Sequence, residues 1–154
     1  MQTLQAGQQA PQFSLQNQFG ETIELAELLK KGKVLVYFYP KALTPGCTVQ
    51  ACALRDSHQQ FNEKNVTVVG ISPDPVKSLL KFQQSKELNF TLLSDADHQV
   101  AEAFGVWGEK KFMGKIYDGI HRISFLINQQ GQVEQVFDNF KTSNHHEVVL
   151  AALG

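Results

Sequence analysis

Cysteine and arginine are scarce in this sequence, with only two of each among 154 residues. A chain of this length buries about two-thirds of the surface that its unfolded form exposes, so it does not need cross-links to fold. Neither sign of charge is in excess, because 14 basic and 15 acidic residues are interspersed along the chain. That balance argues against nucleic acid and against an anionic membrane as partners. We expect a single domain over residues 1–154.

Long apolar runs are absent as well. No stretch approaches the roughly 18 apolar residues that spanning a bilayer requires, which predicts no transmembrane helix. The N-terminal "MQTLQAGQQAPQF" has neither a basic nor an apolar segment of the kind that forms a signal peptide. We therefore expect a cytoplasmic protein. In a reducing cytoplasm, a close pair of cysteines is more often catalytic or redox-active than a structural disulfide.

The first half of the chain contains a clear strand and a clear helix start. "KVLVYFYP" is a continuous apolar run that predicts a central strand covered on both faces and ended by Pro40. Thr44 can then cap a helix whose first residue is Pro45, and we expect that helix to run to about Lys64. Before them, "PQFSLQNQFGETIEL" predicts an N-terminal β-hairpin.

The rest of the chain alternates between the two kinds of element. The sequence predicts strands at "VTVVGIS" and "FTLLSD", helices at "PVKSLLKFQQSKEL" and "HQVAEAFG", and two strands within "HRISFLINQQGQVEQVF". A last helix begins at Asn144, with Glu147 in capping-box register. The segment from Trp107 to Gly119 is predicted to be a loop, and no role is assigned to it. This order indicates an α/β fold with a central mixed β-sheet flanked by helices, compatible with a thioredoxin-like topology.

Cys47 falls in the first turn of the predicted helix, just beyond the carboxyl end of the central strand. Free N–H groups and the positive end of the helix dipole stabilise negative charge there, and the thiolate is the nucleophilic form of cysteine. The opposing interpretation is that Cys47 is simply a small buried apolar residue. Thr44 and Pro40 favour the first interpretation, because the threonine hydroxyl can reach the same amides and the proline can shield the thiolate from water.

Arg122 opens the apolar strand "RISFLI". An always-charged, fork-shaped donor at the end of a central strand favours a role in binding an anion over a structural ion pair. Arg55, next to Asp56 on the cysteine helix, is interpreted as a helix-face ion pair.

These residues carry a resemblance to a known family. The pattern P-x-x-x-T-x-x-C of Pro40, Thr44 and Cys47, with Arg122 far downstream, is similar to the peroxiredoxin active site. The context "YFYPKALTPGCTVQACALRD", "FTLLSDADHQVAEAFGVWGEKKFMGK" and "YDGIHRISFLI" resembles the peroxiredoxin Q group, also called the bacterioferritin comigratory proteins. The resemblance covers essentially the whole chain and implies a thioredoxin-like fold.

The resemblance also implies roles for individual residues. Cys47 would be the peroxidatic nucleophile and Cys52 the resolving cysteine, with Thr44 and Arg122 orienting the peroxide and Pro40 covering the thiolate. Hydrogen peroxide and organic hydroperoxides would be the substrates, and thioredoxin the reductant. No metal, haem or flavin cofactor is implied, and we expect a monomer.

Three further functions remain open from the sequence. A thioredoxin-type disulfide oxidoreductase is the runner-up, although it normally uses C-x-x-C, whereas four residues separate Cys47 from Cys52. A cysteine hydrolase would pair Cys47 with His121. A zinc module would use both cysteines with His145 and His146, but adjacent histidines on a helix point in different directions.

Overall fold

A central β-sheet organises the fold in the computed structural model, which describes residues 1–154. The nine strands are β1 (Ser14–Asn17), β2 (Thr22–Glu24), β3 (Lys33–Phe38), β4 (Val66–Ser72), β5 (Thr91–Ser94), β6 (Trp107–Phe112), β7 (Lys115–Ile120), β8 (Ser124–Ile127) and β9 (Val133–Phe137). Seven of them form one sheet in the order β2-β1-β5-β4-β3-β8-β9, and β6 pairs only with β7. The predicted mixed sheet and N-terminal hairpin are confirmed.

The direction of the central strands determines where a site can form. Strand β3 runs parallel to β4, and β4 runs parallel to β5, whereas β8 lies antiparallel on the other side of β3. The carboxyl ends of β3, β4 and β5 therefore share one edge of the sheet. Ligands of open α/β sheets bind at this edge.

Six helices cover the two faces of the sheet. They are α1 (Leu25–Leu29), α2 (Pro45–Asp56), α3 (His58–Glu63), α4 (Val76–Lys86), α5 (Gln99–Ala103) and α6 (His145–Leu153). None of them has both the length and the apolar composition needed to cross a bilayer.

Alternation along β3 creates two apolar cores. Val34 and Val36 belong to the core that contains residues of α1 and α5. Leu35 and Tyr37 point to the opposite face, where they share a core with Cys47 and other residues of α2, α3, α4 and α6. The strand is covered on both faces, as its continuous apolar composition predicts. The first turn of α2 is thereby packed onto the sheet edge.

Three local predictions differ from the structure. The helix expected to run from Pro45 to about Lys64 is broken at Ser57, which leaves helical geometry at φ −98° and ψ 7°. Asn144 precedes α6, but its side chain accepts the N–H of Lys141 at 2.8 Å, so the expected capping box does not form. Residues 107–119, predicted to be a loop, belong to the β6–β7 hairpin.

Candidate active site

Cys47 is the third residue of α2 and is only 1% exposed. Thr44 has the extended backbone of a helix N-cap, and Pro45 follows as the first helical residue, as predicted. No backbone carbonyl accepts the N–H of Gly46 or of Cys47, because both lie in the first turn. Two free amide donors therefore lie beside the thiol, at the positive end of the helix dipole.

Arg122 lies directly over this turn. Its Nη2 donates to Cys47 Sγ at 3.3 Å, and its Nη1 donates to Gln50 Oε1 at 3.1 Å. The guanidinium is thus held by two contacts on α2, one of them to the sulfur itself. A permanent cation at this distance can stabilise negative charge on the sulfur and on a ligand oxygen bound beside it. Gln50 is a site residue that the sequence analysis missed, although it lies close to one helical turn after Cys47.

Gly46 leaves the space that Arg122 occupies. A Cβ atom added at this position would lie 3.2 Å from Arg122 Nη2 and 3.7 Å from Thr142 Cγ2. The guanidinium approaches the helix over a residue without a side chain, which explains the glycine at this position.

The Thr44 hydroxyl does not cap the helix, contrary to the expectation that it reaches the first-turn amides. It donates instead to the carbonyl oxygen of Lys41 at 2.7 Å. With its proton engaged there, the hydroxyl oxygen retains lone pairs that can accept a hydrogen bond. The amides that it would have capped stay free for a ligand.

Pro40 is half-buried and lines a pocket of about 280 Å³. The pocket lies between the segment that follows β3 and the base of the β6–β7 hairpin, with Lys110 and Trp107 among its walls. Burial is the main cause that lowers the pKa of Lys110, followed by the positive charge of Arg122. The pocket adjoins the loop that carries Pro40 and Thr44.

Cys52 is half-buried on the same helix, and both cysteines are free thiols. Residues 47 and 52 lie within the continuous span of α2, where five steps rotate them about 140° apart and raise one about 7.5 Å above the other. That geometry places their Cα atoms roughly 8.6 Å apart. A disulfide rarely spans more than about 7 Å between Cα atoms, so the intact helix keeps the two sulfurs apart.

Two buried polar side chains lie behind the site. Burial raises the pKa of Tyr37 well above its usual value, and its hydroxyl has no hydrogen-bond partner. His145 is fully buried with Nε2 at 2.8 Å from Ser124 Oγ. Burial above all, then the charges of His146 and Arg122, lowers the pKa of His145 to about 3. The ring is therefore neutral at physiological pH.

Comparison with known proteins places this geometry in a family. Residues 6–136 match the model of the AhpC/TSA family. The chain belongs to that family. It is 61% identical to peroxiredoxin Bcp of Escherichia coli over 150 residues, which cover 97% of this chain and 96% of that one. It is 43% identical to peroxiredoxin Bcp of Bacillus subtilis, with 98% and 96% covered.

Solved structures agree. Peroxidoxin BcpB of Mycobacterium tuberculosis superposes with a TM-score of 0.87 at 37% identity, over 97% of this chain and 96% of that chain. The bacterioferritin comigratory protein of Xanthomonas campestris gives a TM-score of 0.85 at 34% identity, over 92% and 89%. This peroxiredoxin has the thioredoxin-like fold of the family and is a thiol peroxidase, which resolves the choice against a disulfide oxidoreductase.

The histidines that a hydrolase or a zinc module would use have partners other than the thiol, and the structure contains no cluster of three or more possible metal ligands. His121 places Nε2 at 3.1 Å from the carbonyl oxygen of Glu109, and it is Arg122 that contacts Cys47. His145 faces Ser124 in the interior, and His146 lies 3.6 Å from the Glu147 carboxylate.

Arg55 forms the ion pair that the sequence predicts. Its Nε lies 3.0 Å from the Asp56 carboxylate. Its Nη1 also donates to the carbonyl oxygen of Lys86 at 2.6 Å, which ties the end of α2 to the end of α4. Arg55 therefore has a structural role away from the thiol.

Proposed function

We propose that Cys47 is the peroxidatic residue of this peroxiredoxin and that Cys52 resolves it. One observation carries the proposal: the Cys47 sulfur is buried in the first turn of α2 and accepts a hydrogen bond from Arg122 at 3.3 Å. A thiol with an adjacent fixed cation and free helix amides combines a stabilised thiolate with donors for a leaving oxygen.

In the first step, the Cys47 thiolate attacks one peroxide oxygen and the O–O bond breaks. The electron pair of that bond leaves with the other oxygen, which takes a proton and departs as water or an alcohol. Cys47 is oxidised to a sulfenic acid. Arg122 and the free N–H groups of Gly46 and Cys47 stabilise the charge that moves between the oxygens, while the Thr44 oxygen orients the peroxide and Pro40 excludes water.

In the second step, the Cys52 thiol attacks the sulfenic sulfur and water leaves, so that a 47–52 disulfide forms. A dithiol then reduces the disulfide by exchange through a mixed disulfide, which restores both thiols and leaves the donor oxidised. We infer that thioredoxin is this donor, that the protein works as a monomer, and that it works in the cytoplasm. The proposed cycle supports a reducing compartment, because the 47–52 pair must return to the thiol form after each turnover.

Hydrogen peroxide and organic hydroperoxides are the proposed substrates. A pocket of about 280 Å³ lies beside Pro40, and we propose it as the place for the alkyl group of an organic hydroperoxide. The related Xanthomonas campestris protein is described by its alkyl peroxide reduction activity.

The test is a coupled assay with thioredoxin, thioredoxin reductase and NADPH. Cys47→Ser should lose turnover while keeping its fold, because a serine hydroxyl offers no accessible anion at neutral pH. Cys52→Ser should consume one equivalent of peroxide and stop as a sulfenic acid that dimedone traps. Substantial activity in Cys47→Ser, or full thioredoxin-dependent turnover in Cys52→Ser, would contradict the corresponding assignment.

A further inference from the structure

The loop of residues 40–44 carries two of the proposed site residues, yet it is tied to the rest of the fold by a single hydrogen bond. Strand pairing ends where Tyr39 N–H donates to the Ile71 carbonyl oxygen, and the helical pattern starts where Thr48 N–H donates to the Thr44 carbonyl oxygen. Between these points, the Thr44 hydroxyl bonds only within the loop. The remaining bond is that of the Ala42 N–H, which donates to Asp74 Oδ2 at 2.7 Å.

Asp74 is itself held firmly. It follows β4 between Pro73 and Pro75, whose rings fix the backbone on either side. Its carboxylate also accepts the Ser72 hydroxyl at 2.8 Å, and its own carbonyl oxygen accepts the Ser94 hydroxyl at 2.6 Å. These contacts join the carboxyl ends of β4 and β5. Asp74 therefore presents a fixed acceptor at the sheet edge where the loop passes.

The residue after the anchored amide has an unusual backbone. Leu43 has φ of 68°, in the left-handed region that residues with a side chain seldom occupy. Such a conformation persists only where the surrounding contacts impose it. Two contacts outside the loop lie next to it: the Ala42–Asp74 bond, and the packing of the buried Ala42 side chain in the core that contains Cys47. Without that bond the loop can relax toward ordinary φ values, and Thr44 and the first turn of α2 would shift with it.

We propose that Asp74 is a positioning residue for peroxide reduction. By holding the amide of Ala42, it sets the conformation of loop 40–44 and thereby places Pro40, the Thr44 oxygen and the first-turn amides around the Cys47 sulfur. It does not touch the peroxide. The inference rests on the proposed role of Cys47 and concerns the step in which the sulfur is oxidised.

The test measures two rates in the reduced, full-length protein. Stopped-flow mixing with hydrogen peroxide gives the second-order rate constant for Cys47 oxidation and the first-order rate constant for closure of the 47–52 disulfide. Asp74→Ala should lower the first by about tenfold or more, because a small misplacement of reacting groups carries a cost of that order. The closure rate should stay within about twofold, since closure takes α2 out of the positioned geometry in any case.

Two variants separate positioning from general support. Asp74→Asn keeps an oxygen that can accept the Ala42 N–H, so it should restore oxidation to within about threefold of the unmodified rate. Asn17→Ala removes the side-chain oxygen that accepts the N–H groups of Phe19 and Glu21 in the β1–β2 turn, outside the contacts that hold Asp74, so it should lower thermal stability but leave oxidation unchanged. Equal loss of oxidation in Asp74→Asn and Asp74→Ala would overturn the proposal, and so would a normal oxidation rate in Asp74→Ala.

A measurement on the unmodified protein covers the case in which Asp74→Ala does not fold. Amide hydrogen exchange should show Ala42 protected relative to Lys41 and Leu43, whose amides have no partner. Exchange of all three at one rate would overturn the anchoring. If the Cys47 assignment is wrong, the result is different: mass spectrometry of the peroxide-treated wild-type protein would then show Cys47 still as a thiol.

Discussion

At the scale of single residues, the geometry around Arg122 makes the sharpest prediction. Its guanidinium spans Cys47 and Gln50, so it both contacts the sulfur and is oriented by a second residue of the same helix. Arg122→Met keeps much of the length of the side chain and removes its N–H donors. We expect the rate of Cys47 oxidation to fall on the order of 10²-fold, the usual cost of removing a donor that stabilises transition-state charge.

Stopped-flow oxidation by hydrogen peroxide measures this change. Arg55→Met is the matched control, because Arg55 lies at the other end of α2 and contacts Asp56 and the Lys86 carbonyl oxygen. Its oxidation rate should match that of the unmodified protein. An unchanged rate in Arg122→Met would reduce Arg122 to a structural partner of Gln50.

Gly46 offers a test in which activity should fall without a loss of stability. Alanine is the better helix former by roughly 1 kcal/mol in a helix interior and by less in a first turn, so Gly46→Ala should not destabilise the fold. Its Cβ would press on Arg122 Nη2 from 3.2 Å and displace the guanidinium. We expect Cys47 oxidation to slow several-fold, less than the roughly 10²-fold cost of losing the donor, because the guanidinium is displaced and not removed.

Urea unfolding and stopped-flow oxidation measure the two effects of Gly46→Ala on one preparation. If Gly46→Ala matches the wild-type protein in both stability and oxidation rate, the Arg122 guanidinium can move aside without loss. The glycine at this position would then have another explanation.

At the scale of elements, helix α2 must unwind before the proposed 47–52 disulfide can form. The continuous helix separates the Cα atoms of Cys47 and Cys52 by roughly 8.6 Å, beyond the reach of a disulfide. The C-terminal end of α2 is tied down, since Arg55 donates to the Lys86 carbonyl oxygen and its own carbonyl oxygen accepts from Asn89. Unwinding therefore starts at the N-terminal end. Helix ends open at low cost, which makes this motion accessible.

Formation of the disulfide should lower helicity and loosen amide protection across roughly residues 45 to 56, given that reach limit. Hydrogen exchange on the reduced and disulfide forms measures the change. Cys52→Ser treated with peroxide is the control, and it should keep the protection of the reduced form. The prediction fails if both forms protect this segment equally while mass spectrometry confirms the 47–52 bond.

A delay in unwinding also has a chemical cost. A sulfenic acid that waits for Cys52 remains open to a second peroxide molecule, which oxidises it to the irreversible sulfinic acid. The contacts of Arg55 and Asn89 restrain the unwinding of α2. They thereby slow formation of the disulfide and give a second peroxide molecule more time to oxidise the sulfenic acid.

The sequence predicts the elements whose composition allows one interpretation. "KVLVYFYP" is apolar on both faces and β-rich, and it forms the central strand β3 as expected. Thr44-Pro45 starts a helix because an extended cap and a proline at the first position suit no other element as well. The hairpin β6–β7 was missed because its tip, with Phe112, Met113 and Ile116, is exposed on both faces and shows no apolar-polar alternation. The turn at Met113-Gly114, where both residues have positive φ, gave no sequence signal, because methionine is not among the residues that such turns favour.

Contacts between distant parts of the chain could not be predicted from local sequence patterns. Arg122 and Cys47 are far apart in sequence, and no local pattern places one against the other; the resemblance to peroxiredoxins did that. The bond from Ala42 to Asp74 had no sequence signal at all, because an aspartate between two prolines is most simply a turn residue. The contact of Gln50 with Arg122 was likewise not predicted, because it depends on the direction in which helix α2 presents the Gln50 side chain.

At the scale of the whole molecule, the buried His145 couples stability to pH. Its pKa in the folded protein is about 3, against 6.5 for an ordinary histidine, mainly because of burial. Between these two values the unfolded chain binds a proton that the folded protein does not. The free energy of unfolding therefore rises with pH across this window and falls as the solution is acidified.

His145→Gln should flatten this dependence between pH 6.5 and 3, because glutamine does not titrate. Its amide can still bond Ser124. Urea unfolding at several pH values within the window measures the slope for both proteins. The same slope in both would mean that the imidazole becomes protonated without unfolding.

The pairing of β3 has a consequence for how the protein is made. Val34–Tyr37 bond to Ser124–Ile127 on one side, so the central strand stays incomplete until β8 has left the ribosome. Domains generally fold as units during synthesis, and pairings between distant segments come late. Arg122 emerges just ahead of β8. A nascent chain that carries Cys47 therefore lacks Arg122, so under the proposed mechanism the thiol acquires its reactivity only when the sheet that buries it can close.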